Sequence, residues 1–537
     1  MQRTDGGRNQ AEFVNGRALT FIRSRSRSLM VKQRRSPNRR RQRSIIAFEM
    51  VRLDRRAAEP LHRQLYRQIR DELRSGNFSQ SSSRLPSTRT LAAELGVSRL
   101  TVNEAFAELH AEGYLVTKAG SGTFVADPLP DAFLAADHGK VSPQLRQERH
   151  ISKRVSRIPD ARTRDEFDLG PTNAPPGTLL QSGIPAVDEF PIAIWERLRA
   201  QLLAKKGVNL LRYGSNRGDT DLREALCAYL CDFRGARCHP DQILIVAGMQ
   251  QAMLIAALAI LDPGDRAWIE DPGFHQARKV FALAGAKIVP RPVDREGIVI
   301  GRASSGAAPK LIYVTPSHQF PLGVTMSLKR RKALLDFAER RGAYVLEDDY
   351  NAEFRFSGPP LPCLQGLDRS GRVIYAGTMS KILYPSLRLG YLLVPAPLAD
   401  AVAKLRTAID QHSPTIDQAT LARFINEGFY LSHVRRMRKV YAERREIFIE
   451  LFNRFLGDRF TLETGDAGLH ALAWLRSPED LSRLQRLKPD LGVKISALSF
   501  FCIEAKLPPA LVLGFAAWTP AQIREGLTRL ARALEKN

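Results

Sequence analysis

An α/β domain behind a winged helix-turn-helix is the fold class that the sequence predicts. Three observations predict it. Between residues 61 and 126, two helical patterns, a sharp turn, a third helical pattern and a strand pair follow one another. From about residue 179 onward apolar runs alternate with helical patterns, and several runs end in polar residues. The chain, at 537 residues, is also too long for one ordinary core.

Charge narrows the partners. The formal charge of +25 points to an acidic polymer, nucleic acid first. Residues 1–48 hold thirteen Lys and Arg against two acids, and the remainder of the chain is still basic. This stretch is Arg- and Ser-rich, has no apolar period and reads as disordered. Residues 1–49 are read either as an extension ahead of the true start, at Met50 or Met30, or as a basic tail; the first reading is favoured. No run approaches a membrane span, and "FIRSRSRSLM" lacks the continuous apolar stretch of a secretory signal.

Five cysteines in so long a chain do not make a disulfide framework, which fits a reducing cytoplasm. Cys227, Cys231 and Cys238, followed by His239, raise a metal reading. Cys227 and Cys231 share a helix face with Leu226 and Leu230, so core packing is the expectation and no metal site is assigned.

The N-terminal elements follow in order. Leu61, Leu65, Ile69 and Leu73 recur every four residues in "LHRQLYRQIRDEL", after Pro60. "STRTLAAEL" forms the second helix, with Ser87 as its N-cap and Gly96 as its stop. Ser98 caps a third helix whose Val102, Phe106 and Leu109 share a face. "YLVTKAGSGTFVA" closes the unit as two strands around a Gly-Ser-Gly turn. A third helix so placed fits the major groove. Its exposed start offers Ser98, Arg99, Leu100, Thr101 and Asn103, with Arg99 reaching a guanine edge or a phosphate. Arg89 clamps phosphate, and Lys118, Gly120 and Gly122 let the wing approach the minor groove. The competing reading is a small helical interaction domain with a basic surface.

Residues 127–178 are rich in Pro, Asp, Arg and Gln and read as a linker. Beyond it, "ILIVAG" runs into "MQQAM", "LIYVTP" into "SHQFPLG", "YVLEDDY" ends in acids and "VIYAGTMSK" ends in Lys381. Buried parallel strands look like this, and their C-terminal ends share one crevice. A lysine there can form a Schiff base with an aldehyde. A carboxylate can hold a pyridinium nitrogen protonated. A helix N-terminus can bind phosphate through its free N–H groups. Pyridoxal 5′-phosphate (PLP) requires all three.

Two resemblances follow from these motifs. "LPSTRTLAAELGVSRLTVNEAFAELHAEGYLVTKAGSGTFV" resembles the winged-helix domain of GntR-type bacterial transcription regulators, with Asn103 where that family often has a second arginine. Residues 179–533 resemble fold-type I PLP enzymes of the aspartate aminotransferase superfamily. That resemblance implies that Lys381 is the Schiff-base lysine, Asp348 the acid on the pyridine nitrogen and Tyr350 the tyrosine beside the 3-oxygen. It implies phosphate binding by Thr378, Ser380 and Arg388, and by Gly248, Met249 and Gln250 at the start of a helix. Phe274 would stack on the ring, and Tyr213 would reach the phosphate from the partner subunit of a head-to-tail homodimer.

The fusion of both domains, with "GIPAVDEFPIAIW", "DPGDRAWIEDPGF", "PSHQFPLG" and "EDDYNAEFRF", looks like the MocR branch of the GntR family. The domains expected are a winged helix at 50–126, a linker at 127–178 and an aminotransferase-like effector domain at 179–537. The implied function is a transcription regulator on a double-stranded operator, sensing PLP or an amino compound through a Lys381 aldimine. The alternatives are an active aminotransferase with an accessory DNA-binding domain, and a regulator with a vestigial PLP site. Three departures bear on this choice. Met249 stands where related enzymes often have a hydroxyl residue, Phe320 replaces the asparagine of "NPTG", and Val512 stands where the enzymes carry a carboxylate-binding arginine.

Overall fold

The computed structural model describes residues 51–75, 84–127, 129–130, 152–158, 177–301, 308–356, 362–477, 479–480, 484 and 491–536. Residues 1–49 and most of the expected linker lie outside them. The chain divides into two compact units, with the boundary at residues 149 and 150.

The first unit is built on α1 (Leu61–Arg74), α2 (Thr88–Leu95) and α3 (Arg99–Ala111), followed by β1 (Leu115–Lys118) and β2 (Gly122–Val125). Leu65, Ile69 and Leu73 of α1 pack with Leu91, Val102, Phe106 and Leu109 in one apolar core. The turn between α2 and α3 has local causes. Gly96 adopts φ 63°, a left-handed conformation that glycine takes without Cβ strain, and its N–H closes on the Ala92 carbonyl. Ser98 then caps α3 by accepting the Thr101 N–H at 3.1 Å. β1 and β2 pair antiparallel, from Leu115 opposite Val125 to Lys118 opposite Gly122. Arg84 bridges to Phe124, and the Leu85 N–H donates to the Thr123 carbonyl at 2.9 Å, so the segment before α2 borders the wing.

The second unit carries an eight-stranded sheet, ordered β3-β10-β9-β8-β7-β4-β5-β6. The strands are β3 (Ile243–Val246), β4 (Arg266–Asp271), β5 (Lys287–Asp294), β6 (Gly297–Ile298), β7 (Leu311–Val314), β8 (Tyr344–Asp349), β9 (Val373–Thr378) and β10 (Gly390–Leu393). β5, β4, β7, β8 and β9 pair in parallel. The sheet is not wholly parallel. β10 runs antiparallel between β3 and β9, because only a short connection from Thr378 to Gly390 returns the chain alongside β9. A second sheet of β11 (Phe460–Glu463), β12 (His470–Leu475), β13 (Ser496–Ala497) and β14 (Ala510–Gly514) is antiparallel, ordered β11-β12-β14-β13.

Close packing fixes the strand ends. A Cβ added at Gly377 would lie 2.4 Å from the Tyr391 hydroxyl, and one at Gly390 would lie 3.1 Å from the Gly248 Cα. Arg331 is fully buried and donates to the carbonyls of Met326, Pro316 and Pro362 at 2.8–3.0 Å, which pins the loop after β7. Arg234 and Asp349 form a buried ion pair at 2.5 Å, joined by the Tyr375 hydroxyl at 2.7 Å. Removing one partner of such a pair leaves a buried charge alone and costs about 3–5 kcal/mol. The pair braces the strand end next to Asp348.

One expectation is corrected. Cys227 is buried, but Cys231 is exposed, so the paired-core reading fails for Cys231. Its helix, Thr220–Arg234, turns that position outward even though Leu226 and Leu230 are buried.

Candidate cofactor site and nucleic-acid interface

The C-terminal ends of β3, β7, β8 and β9 bring the polar residues of the large domain together. Lys381 follows β9, and its ammonium donates to the Gly183 carbonyl. A Cβ at Gly183 would lie 3.3 Å from the Lys381 Nζ, so glycine keeps that approach open. Burial lowers the Lys381 ammonium to about 8, with Asp348 opposing and Arg388 assisting.

Asp348 ends β8. Its Oδ2 accepts the Tyr313 hydroxyl at 2.5 Å. Its Oδ1 is buried with no hydrogen-bond partner among the described residues. Burial raises the carboxyl to about 7; the Tyr313 hydrogen bond and Lys381 pull it down, while Asp349 pushes it up. The Tyr350 hydroxyl and the Ser380 Oγ are likewise buried and unpartnered among the described residues. Thr378 is buried, and its Oγ1 accepts the Ser380 N–H at 3.2 Å.

The anion-facing side is a helix start. Helix Met249–Ile260 begins after Gly248 at φ 89°, with no side-chain cap on its first N–H groups. Arg388 sits in the left-handed region at φ 49°, which costs a residue with a Cβ about 1–2 kcal/mol. Its guanidinium donates to the Ala247 carbonyl at 2.9 Å and lies 3.3 Å from a Cβ added at Gly248. Gln250 is exposed. Gln251, which the sequence reading did not single out, closes the turn: its Oε1 accepts the Ala247 N–H at 2.7 Å and its amide donates to Asp410 at 2.9 Å. Helix phase, set by the first backbone bonds, selects Gln251 over Gln250.

An aromatic wall faces this cradle. Phe274 and Phe320 meet edge to face at 5.9 Å, and Phe320 also meets Tyr350 at 6.3 Å. Val512 lies buried in an apolar cluster with Leu472, Leu498 and Phe501, against which Phe320 packs. The position expected to have lost an arginine is therefore apolar. Asp271 ends β4, and its carboxylate accepts the N–H groups of Ile503, Glu504 and Ala505 at 2.7–2.8 Å. The Gly273 N–H donates to the Phe501 carbonyl at 3.0 Å.

Tyr213 stands apart, 88% exposed and edge-on to His412 at 5.8 Å. It lines an open groove of about 1050 Å³ with Leu211, Pro414 and Ile416. Within this unit it is not enclosed by the cradle.

On the first unit, Arg89, Arg99, Leu100, Asn103 and Lys118 are exposed. Ser98 and Thr101 share a hydroxyl contact at 2.9 Å, so the cap holds both side chains at the helix start. Lys118 lies over the Phe124 ring at 5.1 Å. Gly120 and Gly122 take φ 70° and 107° at the tip of the wing. A Cβ at Gly122 would lie 2.8 Å from the Arg84 guanidinium, so Arg84 adds a cation beside the wing that the motif did not mark.

Two family models match the chain. "Bacterial regulatory proteins, gntR family" matches residues 61–125, and "Aminotransferase class I and II" matches residues 175–530. The probable rhizopine catabolism regulatory protein MocR of Rhizobium meliloti is 39% identical, over 90% of this chain and 96% of its own. The chain belongs to the MocR subfamily of GntR-type transcription regulators. Another MocR-type relative, the regulator TauR of Rhodobacter capsulatus, is 34% identical over 88% of this chain and 96% of its own. The α-aminoadipate aminotransferase LysN of Thermus thermophilus, solved with a phosphopyridoxyl-leucine, matches with a TM-score of 0.62 and 26% identity, covering 72% of this chain and 97% of that one.

PLP is the cofactor of this MocR-type domain, and the residues present fit it. Among the described residues, a buried carboxylate oxygen, a phenol and a hydroxyl have no hydrogen-bond partner. A lysine of lowered basicity stands near Asp348, and an uncapped helix start lies beside an arginine. Among the described residues, no helix is long and apolar enough to cross a membrane.

Proposed function

We propose that this MocR-type regulator binds an operator through residues 50–126 and reads an amino compound, or PLP itself, through residues 179–537, with 127–178 as the connection. PLP supplies an electrophilic carbonyl carbon and a pyridine ring that withdraws electrons. In this assignment Lys381 attaches it. Asp348 Oδ1 holds the ring nitrogen's proton, and Tyr350 donates to the 3-oxygen. Thr378, Ser380, Arg388 and the N–H groups after Gly248, at Met249 and Gln250, hold the phosphate. Phe274 covers the ring.

The observation that carries the reading is the buried Oδ1 of Asp348, without a partner among the described residues, in a chain that also holds a winged helix. Val512 favours a sensor over an aminotransferase. A bidentate arginine clamp would orient a substrate carboxylate, and an apolar cluster stands there instead. The exposed Tyr213 supports a homodimer in which each Tyr213 serves the partner's cofactor, giving two readers and two operator half-sites.

Lys381→Ala tests the assignment. The variant should remain folded, lose borohydride-reducible PLP and lose the response of operator binding to the effector. A variant that still yields a PLP-modified peptide after reduction would move the attachment to another lysine. Turnover of amino and keto acids by the unmutated protein would favour the aminotransferase reading.

A further inference from the structure

Three thiols converge at one end of the helix Thr220–Arg234. Cys227 and Cys231 stand one turn apart on it, and Cys238 returns to them in the segment before β3. The sulfurs of Cys227 and Cys238 are 3.3 Å apart, and those of Cys231 and Cys238 are 3.8 Å apart. All three sulfurs lie within 4.8 Å of one another. Tetrahedral ligands at the zinc–sulfur distance of about 2.3 Å place sulfurs about 3.8 Å apart.

The surroundings are those of a fixed site with an entrance. Cys227 is buried, Cys238 is half-buried and Cys231 is exposed, so an ion meets an inner wall and an open side. The returning segment is held just before Cys238. The Ala236 N–H donates to the Leu230 carbonyl at 3.1 Å, and Arg237 exchanges backbone bonds with the Gln365 amide at 2.9 and 2.7 Å. His239 is exposed and turned toward Asp241, with its Nδ1 3.5 Å from that carboxylate.

We propose that Cys227, Cys231 and Cys238 form a three-thiolate site for a soft divalent cation of the zinc class, completed by water. Soft thiolates select such ions over magnesium or calcium. Each thiol that binds releases its proton to solvent, and no oxidant is consumed. The site would also bear on the cofactor. Arg234, on the last turn of the same helix, grips Asp349 beside Asp348. A cation that ties this turn to residues 235–242 braces that grip.

The test uses full-length, PLP-loaded, reduced protein titrated with Cd²⁺ alone and then with Zn²⁺ in competition. The expected result is a cadmium–thiolate ultraviolet band that saturates at one equivalent and is displaced by Zn²⁺. Cys231→Ser and Cys238→Ser should each weaken binding at least tenfold, while Cys502→Ser leaves it unchanged. Cys231 is exposed, so its serine variant keeps the fold, and circular dichroism confirms this for each variant. The thermal midpoint of the unmutated protein should rise with Zn²⁺, and that of Cys231→Ser should not. A band that persists in Cys238→Ser, or no saturating band at all, overturns the proposal. So does a Cys227–Cys238 disulfide forming in air at the same rate with and without Zn²⁺.

Discussion

Tyr313 and Asp348 are joined across the neighbouring strands β7 and β8, the phenol donating to Oδ2 at 2.5 Å. This bond occupies one carboxylate oxygen, leaves Oδ1 without a partner among the described residues, and supports the ionised form that a pyridinium needs. Tyr313→Phe should weaken PLP binding by roughly tenfold, from the loss of about 1.5 kcal/mol in a hydrogen bond to a charged group. An absorbance titration of cofactor-free protein measures it. Equal affinity in the variant would show that Asp348 holds its position without Tyr313.

Lysine basicity sets the second expectation. Burial lowers Lys381 to about 8 from an ordinary 10.5. Only the neutral amine attacks an aldehyde, so PLP uptake should rise about tenfold per pH unit below 8 and flatten above it. The sign for stability follows. The folded state holds this proton less tightly than the unfolded chain, so the cost is full below pH 8 and fades as pH rises toward 10.5. Stopped-flow absorbance decides the matter, and an uptake rate still climbing beyond pH 10 would contradict the burial of the amine.

The Tyr213 assignment is open to complementation. Tyr213→Ala and Lys381→Ala proteins, unfolded together and refolded as mixed dimers, should regain one intact site per heterodimer. The intact site pairs one subunit's Lys381 with the Tyr213 of the other. Reducible PLP would then appear on the Tyr213→Ala chain at nearly unmutated affinity. If Tyr213 served its own subunit, mixing would restore nothing.

For DNA, Arg99 and Arg89 should separate. Arg99→Ala should cost about 1–3 kcal/mol on the operator and relax preference at one base position. Arg89→Ala should weaken all sequences alike and reduce the salt slope by about one. Fluorescence anisotropy on operator and random duplexes at several salt concentrations distinguishes the two, and unchanged binding in both variants would remove α2 and α3 from the interface.

Much of this was legible in the chain because strands buried on both faces read as apolar runs. "ILIVAG", "LIYVTP", "YVLEDDY" and "VIYAGTMSK" each mark a strand and the point where it opens into the crevice. The helix caps were equally plain, since Ser87, Ser98 and Gly96 act through bonds only a few residues long. What escaped depended on neighbours distant in sequence. The antiparallel insertion of β10 is decided by a return path, not by its own residues. Arg84 gains meaning only from the wing folding over it. Cys231 points outward because the helix is covered on another side, and Cys238 reaches it through a turn with no apolar period to betray it.

Asp271 has a mechanical consequence. By gripping three successive N–H groups, it laces residues 503–505 to the end of β4, three residues before Phe274. Phe274 on one side and Phe500 and Phe501 on the other are thereby harnessed together, since His275 also lies against both of those rings. One carboxylate thus fastens residues 503–505 to the strand end that leads into Phe274, and the ring contacts of His275 fasten it a second time.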